Sequence, residues 1–466
     1  MNHERVTDMT RGNALAQMTR FALPILLGML CQRIYNFADT FIVGRYLGDR
    51  ALASVSISGS ATYLLFSIMM GVTTGAGVVI SQYYGGRREG EIRSAFVASV
   101  YVGTGAALVL TVAGVLTATP LLKLLRTSNE LLPMAQRYLC IIYAGSAATM
   151  LYNLSSAVLR ALGNSIVPLL FLAFSSVLNI LLDILLVALV PMGTAGAALA
   201  TVLAQLLSGV LCLIYALKIL PFLRIRRKDL KPNRSLIRQV LRFGLPTALQ
   251  MSIISISDMT LQAVVNTYST AMIVAYGVCM RVEGLGFQMA DAIGSAVSTF
   301  TGQNAGAGNY MRIRSGVRNA YLMNLIAYGV FGPCIFIGAP CIMRVFTDTP
   351  DAIRYGTEYM RIFSVFFLAG GILTVYHNIL RASGDVTVTV LMGVSEVVTR
   401  TGCAFLLPHL FGYRGLWFVS PLTWLCAATV GAIRYYSNVW ERNAKKTQEV
   451  AEYAEKEKTQ NGISLL

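Results

Sequence analysis

The chain has 466 residues, 55% of them hydrophobic and only 13% charged, and its mean hydropathy is +0.61. That leaves too little charge to cover a soluble domain of this length. The formal charge of +16 raises nucleic acid as a partner, so the placement of the basic residues has to be weighed.

Residues 1–20 are polar and charged, with no apolar core ahead of a small-residue cleavage site. They read as a cytoplasmic tail followed by a retained helix, not as a signal peptide. From Phe21 onward, apolar windows of bilayer length recur. In the first half they fall at 21–43, 53–80, 95–119, 134–158, 166–190 and 196–218. In the second half they fall at 243–266, 272–300, 317–340, 358–379, 386–408 and 415–437. The pattern predicts an all-α integral membrane protein of about twelve transmembrane helices. The predicted organisation is an N-lobe over 21–220, a basic cytoplasmic linker over 221–240, a C-lobe over 241–438 and a charged cytoplasmic tail over 439–466. The tail is rich in Glu and Lys and reads as a solvated end without a transport role. The eight cysteines are scattered over the predicted spans without a CxxC pair, and read as small packing residues.

The halves repeat. Arg20-Phe21-Ala22-Leu23-Pro24 returns as Arg242-Phe243-Gly244-Leu245-Pro246, and Ile92-Arg93-Ser94 as Ile313-Arg314-Ser315. Leu159-Arg160-Ala161-Leu162-Gly163-Asn164 returns as Leu380-Arg381-Ala382-Ser383-Gly384-Asp385. Gln82 and Gly85 match Gln303 and Gly306; Gly193 and Gly196 match Gly412 and Gly415. A common order at an offset of about 221 residues signals duplication. The offset spans six helices, an even number, so both halves run the same way across the bilayer. A pseudo-twofold axis along the membrane normal and a central cleft are expected, as in parallel-repeat transporters.

Placing both termini in the cytoplasm puts about two thirds of the 38 Lys and Arg on the inner side and about a quarter on the outer side. The basic excess is then explained by topology, and nucleic acid is not expected as a partner. The expected topology is a chain that crosses a membrane many times with both termini cytoplasmic.

Charges inside the bilayer are more informative, because an acid at its centre costs ~2.5–3.5 kcal/mol on insertion scales. Asp39, Asp183, Asp258, Glu283, Asp291 and Glu396 lie within or beside the spans. Asn179 and Asp183 stand four apart on one helix face. Asp39 has Tyr35 one turn before it and Asn36 nearby, and Thr201 adds a hydroxyl. Two carboxylates with neutral oxygens suit a hard monovalent cation, and the same pair held close makes one member a proton carrier. Glu396 and Arg400, four apart, read as a structural ion pair, whereas Arg281 and Glu283, two apart, do not face each other. Met280, Phe287 and Met289 near Glu283 are candidate cleft linings, with packing as the competing reading. His377 reads as an interior, hydrogen-bonded histidine.

Several segments resemble the multidrug and toxic compound extrusion (MATE) transporters. These are Pro24 to Gly48 with Asp39, Ser81 to Gly85, Ala275 to Gly308, and the turns Leu159–Asn164 and Leu380–Asp385. The resemblance implies the bacterial drug/cation antiporter branch and a V-shaped fold of two six-helix bundles. It implies a secondary active multidrug exporter that extrudes bulky organic cations in antiport with H+ or Na+ by alternating access. In members whose N-lobe holds the coupling ion, two Asp, an Asn and a Thr form the site; the matching residues are Asp39, Asn179, Asp183 and Thr201. Glu283 sits in an Arg-x-Glu segment whose acid would face the substrate cation. The stretch Ser252 to Ser257 lacks the helix-7 acid of some members. Small organic cations and the lipid bilayer are therefore the expected partners. No cofactor is expected beyond transported H+ or Na+, and no metal site beyond Na+ at those four residues. An enzyme is not expected: no HExxH or GxSxG occurs. The alternative is a flippase for a lipid-linked saccharide or similar amphiphile, against which the scarcity of lone intramembrane bases (Arg33 and Arg281) argues.

Overall fold

A computed structural model describes residues 7–445 apart from 126, 221, 222 and 226, together with the backbone but not the side chains of 60, 61, 64, 65, 227 and 228. Part of the predicted linker and the tail beyond 445 lie outside the described residues. Among the described residues the regular structure is helical: α1 Ala14–Leu47, α2 Asp49–Gly85, α3 Glu89–Leu124, α4 Leu132–Ala144, α5 Ser146–Ala161, α6 Ile166–Asp183 and α7 Thr194–Ile219. The second half supplies α8 Arg234–Val265, α9 Thr270–Gly306, α10 Tyr310–Phe346, α11 Pro350–Ala382, α12 Val386–Phe411 and α13 Val419–Tyr436. Nine helical runs among the described residues are long and apolar enough to cross a membrane, with α12 and α13 counted as one.

Most predicted windows fall on a single rod. The 134–158 window divides between α4 and α5 at Gly145, and 166–190 runs past α6 into a π-helical turn, Ile184–Leu189. The helices close their own backbone hydrogen bonds, as a bilayer requires. Interior hydroxyls do the same locally: Thr73 donates to the Met69 carbonyl at 3.0 Å, Ser99 to Ala95 at 2.7 Å and Thr247 to Phe243 at 2.8 Å.

The duplication is visible in the backbone. Gly163 and Gly384, at matched positions after α5 and α11, have φ of 88° and 102°. Gly193 and Gly412, before α7 and after α12, have φ of 65° and 60°. These left-handed conformations favour glycine, so both copies end their helices by the same device.

The described residues group into two compact units, one of 7–8 and 23–252, the other of 9–22 and 253–445. The first turns of α1 thus belong to the second unit, and the first half of α8 to the first. The first unit's core includes Met69, Leu122, Leu139, Ile142, Tyr143 and Met150. The second is aromatic: Phe367 stacks on Tyr328 at 5.4 Å and on Trp424 at 6.2 Å, and meets Phe363 edge-on at 5.1 Å.

Candidate functional site

In the first unit, Asp39 of α1 and Asp183, the last residue of α6, lie within hydrogen-bond reach of each other. Asp183 has no solvent exposure and Asn179 only 2%. Both Asp183 oxygens, Asp39 Oδ1 and Asn179 Oδ1 are buried without a protein donor. Asn179 Nδ2 donates to Thr201 Oγ1 at 3.4 Å, and Thr201 donates to the Ala197 carbonyl at 3.1 Å. The first bond joins Asn179 to Thr201, and Asn179 stands one turn before Asp183 on α6.

The four sequence candidates Asp39, Asn179, Asp183 and Thr201 therefore converge. Of their supporting neighbours, Tyr35 is half-buried, hydrogen-bonds Gln32 and lies within electrostatic range of both acids. Asn36 is exposed, and its carbonyl accepts from Thr40 at 2.8 Å. Tyr138 of α4 also lies within electrostatic range of both acids. Sequence reasoning missed it, because a lone tyrosine in the middle of an apolar helix carries no distinguishing pattern. The next residues along the same helices build an apolar cluster of Ile42, Val43, Ala51, Val187 and Ala197. Such a wall keeps the local dielectric low, where two like charges at about 4 Å repel by about 4 kcal/mol even at an effective dielectric of 20. One proton or one monovalent cation relieves that repulsion. Two carboxylates, an amide oxygen and a hydroxyl form an all-oxygen donor set that fits a hard cation.

In the second unit, Glu283 of α9 is half-buried and accepts a hydrogen bond from Tyr359 of α11 at 3.0 Å. Tyr359 stacks between Tyr276 at 6.0 Å and Trp417 at 4.8 Å. A carboxylate beside stacked rings is a chemistry suited to organic cations. Phe287 is half-buried and meets Trp424 edge-on at 5.2 Å. Met280 and Met289 are half-buried. At 100° per residue Met280 shares the Glu283 side of α9 and Met289 falls roughly opposite. Arg281 turns outward, over the Phe346 ring at 5.9 Å.

The expected Glu396–Arg400 ion pair is not what forms. Arg400 Nη1 pairs with Asp258 of α8, and Glu396 Oε1 lies 3.3 Å from His377 Nε2 of α11. Glu396 and Arg400 each have a closer partner on another helix than on their own, which periodicity along one helix cannot reveal. Asp291 of α9 interacts electrostatically with Arg381.

The MatE family model matches residues 24–185 and again 246–406, once in each half. The chain is similar to the "Probable multidrug resistance protein YpnP" of Bacillus subtilis, 31% identical over 437 residues that cover 93% of this chain and 97% of that protein. It is 24% identical to the "Probable multidrug resistance protein NorM" of Thermotoga maritima, over 93% of this chain and 94% of that one. Among solved structures, an outward-facing multidrug resistance MATE transporter of the MOP superfamily superposes with a TM-score of 0.87 at 22% identity, covering 94% of this chain and 99% of the other. A MOP superfamily transporter from Pyrococcus furiosus gives a TM-score of 0.87 at 21% identity, over 94% of this chain and 100% of that one. With both halves matched by the family model and a relative alike over nearly the whole length, the chain belongs to the MatE family of multidrug and toxic compound extrusion transporters, which are membrane transporters and not enzymes.

Proposed function

We propose that the chain is a secondary active exporter of bulky organic cations, working by alternating access in antiport with H+ or Na+ bound at Asp39, Asn179, Asp183 and Thr201. The observation that carries this reading is the set of buried oxygens on Asp39, Asn179 and Asp183 that no protein donor serves. Left bare, a pair of ionised carboxylates in a low-dielectric wall is unstable; loaded with one proton or one Na+, it is neutralised to a single charge. Loading changes the electrostatics where α1 meets α6, and the two loading states then favour different arrangements of those helices. Glu283, beside the Tyr359 and Tyr276 rings, is the proposed partner for the cation that leaves.

Moving one charge down the membrane potential is worth ~2.3 kcal/mol per 100 mV. A one-for-one exchange of monovalent cations moves no net charge, so the ion's own concentration gradient drives export in that case. The proposed setting is a bacterial cell membrane, with both termini cytoplasmic and the monomer as the working unit. Ethidium efflux from proteoliposomes, with pH and Na+ gradients imposed separately, tests the reading. The expected result is efflux driven by at least one gradient and lost in Asp39→Asn and Asp183→Asn. Efflux at the parent rate in both variants would overturn it.

A further inference from the structure

We propose that His377 and Glu396, buried together in the second unit, form a further proton-binding site, and that its loading decides which carboxylate Arg400 serves. The inference stands on the second unit alone and does not need the Asp39–Asp183 site to couple transport.

His377 is 6% exposed and Glu396 and Arg400 are each 4% exposed. The imidazole of α11 and the carboxylate of α12 are 3.3 Å apart. Imidazole is the side chain whose charge ordinarily changes between about pH 5 and 8. A proton taken from water onto His377 makes the pair an imidazolium facing a carboxylate, a charge-assisted contact.

Arg400 lies one turn beyond Glu396 on α12, in the acid-before-base order that favours pairing along a helix. Its Nη1 is already committed to Asp258, while its Nε is buried without an acceptor. The guanidinium therefore keeps a spare donor within electrostatic range of Glu396. With His377 protonated, Glu396 is balanced by the imidazolium and Arg400 serves Asp258. With His377 neutral, Glu396 competes for Arg400 and the hold on Asp258 weakens. The Asp258 side chain is 63% exposed against 5% for Arg400.

Glu283 and Tyr276 of α9 also lie within electrostatic range of Arg400, behind Asp258 and Glu396 in strength. On α9, Glu283 is served by Tyr359 and Asp291 interacts with Arg381. On α13, Arg434 is held by Asp385 at 2.6 Å. From α10, Tyr321 meets Tyr376 at a ring distance of 6.1 Å, and the basic residues of that helix lie toward its two ends. Cys279 lies near Glu283, and Tyr276 lies within electrostatic range of Glu283, Asp258 and Arg400.

The chain has three histidines. Replacing His3 and His409 by Gln leaves His377 as the lone imidazole, which 15N-histidine NMR of the full chain in nanodiscs then reads directly. The expected result is a pH-dependent resonance in the parent and about tenfold weaker proton binding in Glu396→Gln. Asp258→Asn, a change at an exposed side chain, is expected to move the midpoint as well, because it releases Arg400 toward Glu396. A resonance that stays constant from pH 5 to 9 overturns the proton site. A midpoint that ignores Asp258→Asn overturns the role of Arg400, even if Glu396→Gln does not fold.

Discussion

Asp39 on α1 and Asp183 at the end of α6 meet side chain to side chain, and neither oxygen of Asp183 has a protein donor. A proton needs one of these carboxylates, whereas a sodium ion needs several oxygens at once. Thr201 is the member that separates the two cases. Thr201→Val removes a hydroxyl oxygen while leaving both acids in place. If Na+ couples, the variant should need about tenfold more Na+ for half-maximal efflux, about 1.4 kcal/mol. If H+ couples, the pH profile should be unchanged. Dye efflux from proteoliposomes at graded Na+ and fixed pH reads the difference.

Tyr359 donates its hydroxyl to Glu283 at 3.0 Å while its ring stacks on Trp417 at 4.8 Å. Phenylalanine keeps the stack and removes only the donor. A hydrogen bond to a charged group contributes roughly 1.5–3 kcal/mol. Tyr359→Phe should therefore lower stability by about 2 kcal/mol in thermal unfolding. Added cationic dye should stabilise the variant more than the parent, because the dye's charge balances a Glu283 carboxylate that has lost its hydrogen-bond donor.

Much of this architecture is legible along the chain. Apolar windows locate the rods, and the repeat predicts matched glycines that indeed share left-handed φ at Gly163 and Gly384. The Asn179–Asp183 spacing and the rarity of intramembrane acids single out one real cluster. What stays hidden is partnership across helices. Glu396 and Arg400 have the spacing of a pair, yet each is drawn to another helix, to His377 and Asp258. Tyr138 joins the acids from α4 with no mark in its neighbours. Phe287, a candidate cleft lining by position, also makes an edge-on contact with Trp424 that its own helix does not announce. Local patterns encode which face of a helix is apolar; the partner that face meets is set by the fold. Asymmetry between the halves has the same origin, since Asp39 corresponds by the repeat to Leu261, which is 2% exposed.

Small residues bring α2 and the first half of α8 together. A Cβ added at Gly75 would lie 2.6 Å from the Gly244 nitrogen and 2.6 Å from the Val240 carbonyl oxygen. Both obstacles are backbone and cannot turn aside, so the helices would have to separate and lose packing, the main attraction between helices in lipid. Gly75→Ala should cost about 1–3 kcal/mol, as overpacking usually does. Gly59, on the same helix, has nothing within 4 Å of its added Cβ, and Gly59→Ala should be tolerated. Melting temperatures of the two variants in detergent make the comparison.

Asp385 follows the left-handed Gly384 and has a side chain only 3% exposed, held by Arg434 at 2.6 and 3.2 Å. Removing one partner of a buried pair leaves an uncompensated charge and typically costs 3–5 kcal/mol. Arg434 is 31% exposed, so solvent offsets part of that, and about 2–3 kcal/mol is expected for Arg434→Ala. Asp385→Asn in the same chain should restore most of the loss. A double-mutant cycle on thermal unfolding measures the coupling directly.

After α13 the chain turns back at Asn438, and Trp440 packs against Tyr435 at a ring distance of 5.7 Å with no solvent exposure. Glu441 fixes this end. It accepts from Lys445 at 2.9 Å and from Arg314 at the start of α10 at 2.8 Å. Those two partners hold its carboxyl below the ordinary value of 4.5. A carboxyl whose folded value is depressed adds stability that is present above its unfolded value and disappears as pH falls through the folded one. The attachment of this segment to α10 should therefore be intact at pH 5 and above and weaken as pH falls below 4.5. Trp440 reports it, because Trp417 and Trp424 sit inside the packed aromatic core. The expected signal is an acid-induced red shift of emission in the parent. Glu441→Gln, which keeps a hydrogen-bonding side chain but has no charge to lose, should show the shifted emission already at pH 7 and no further change on acidification.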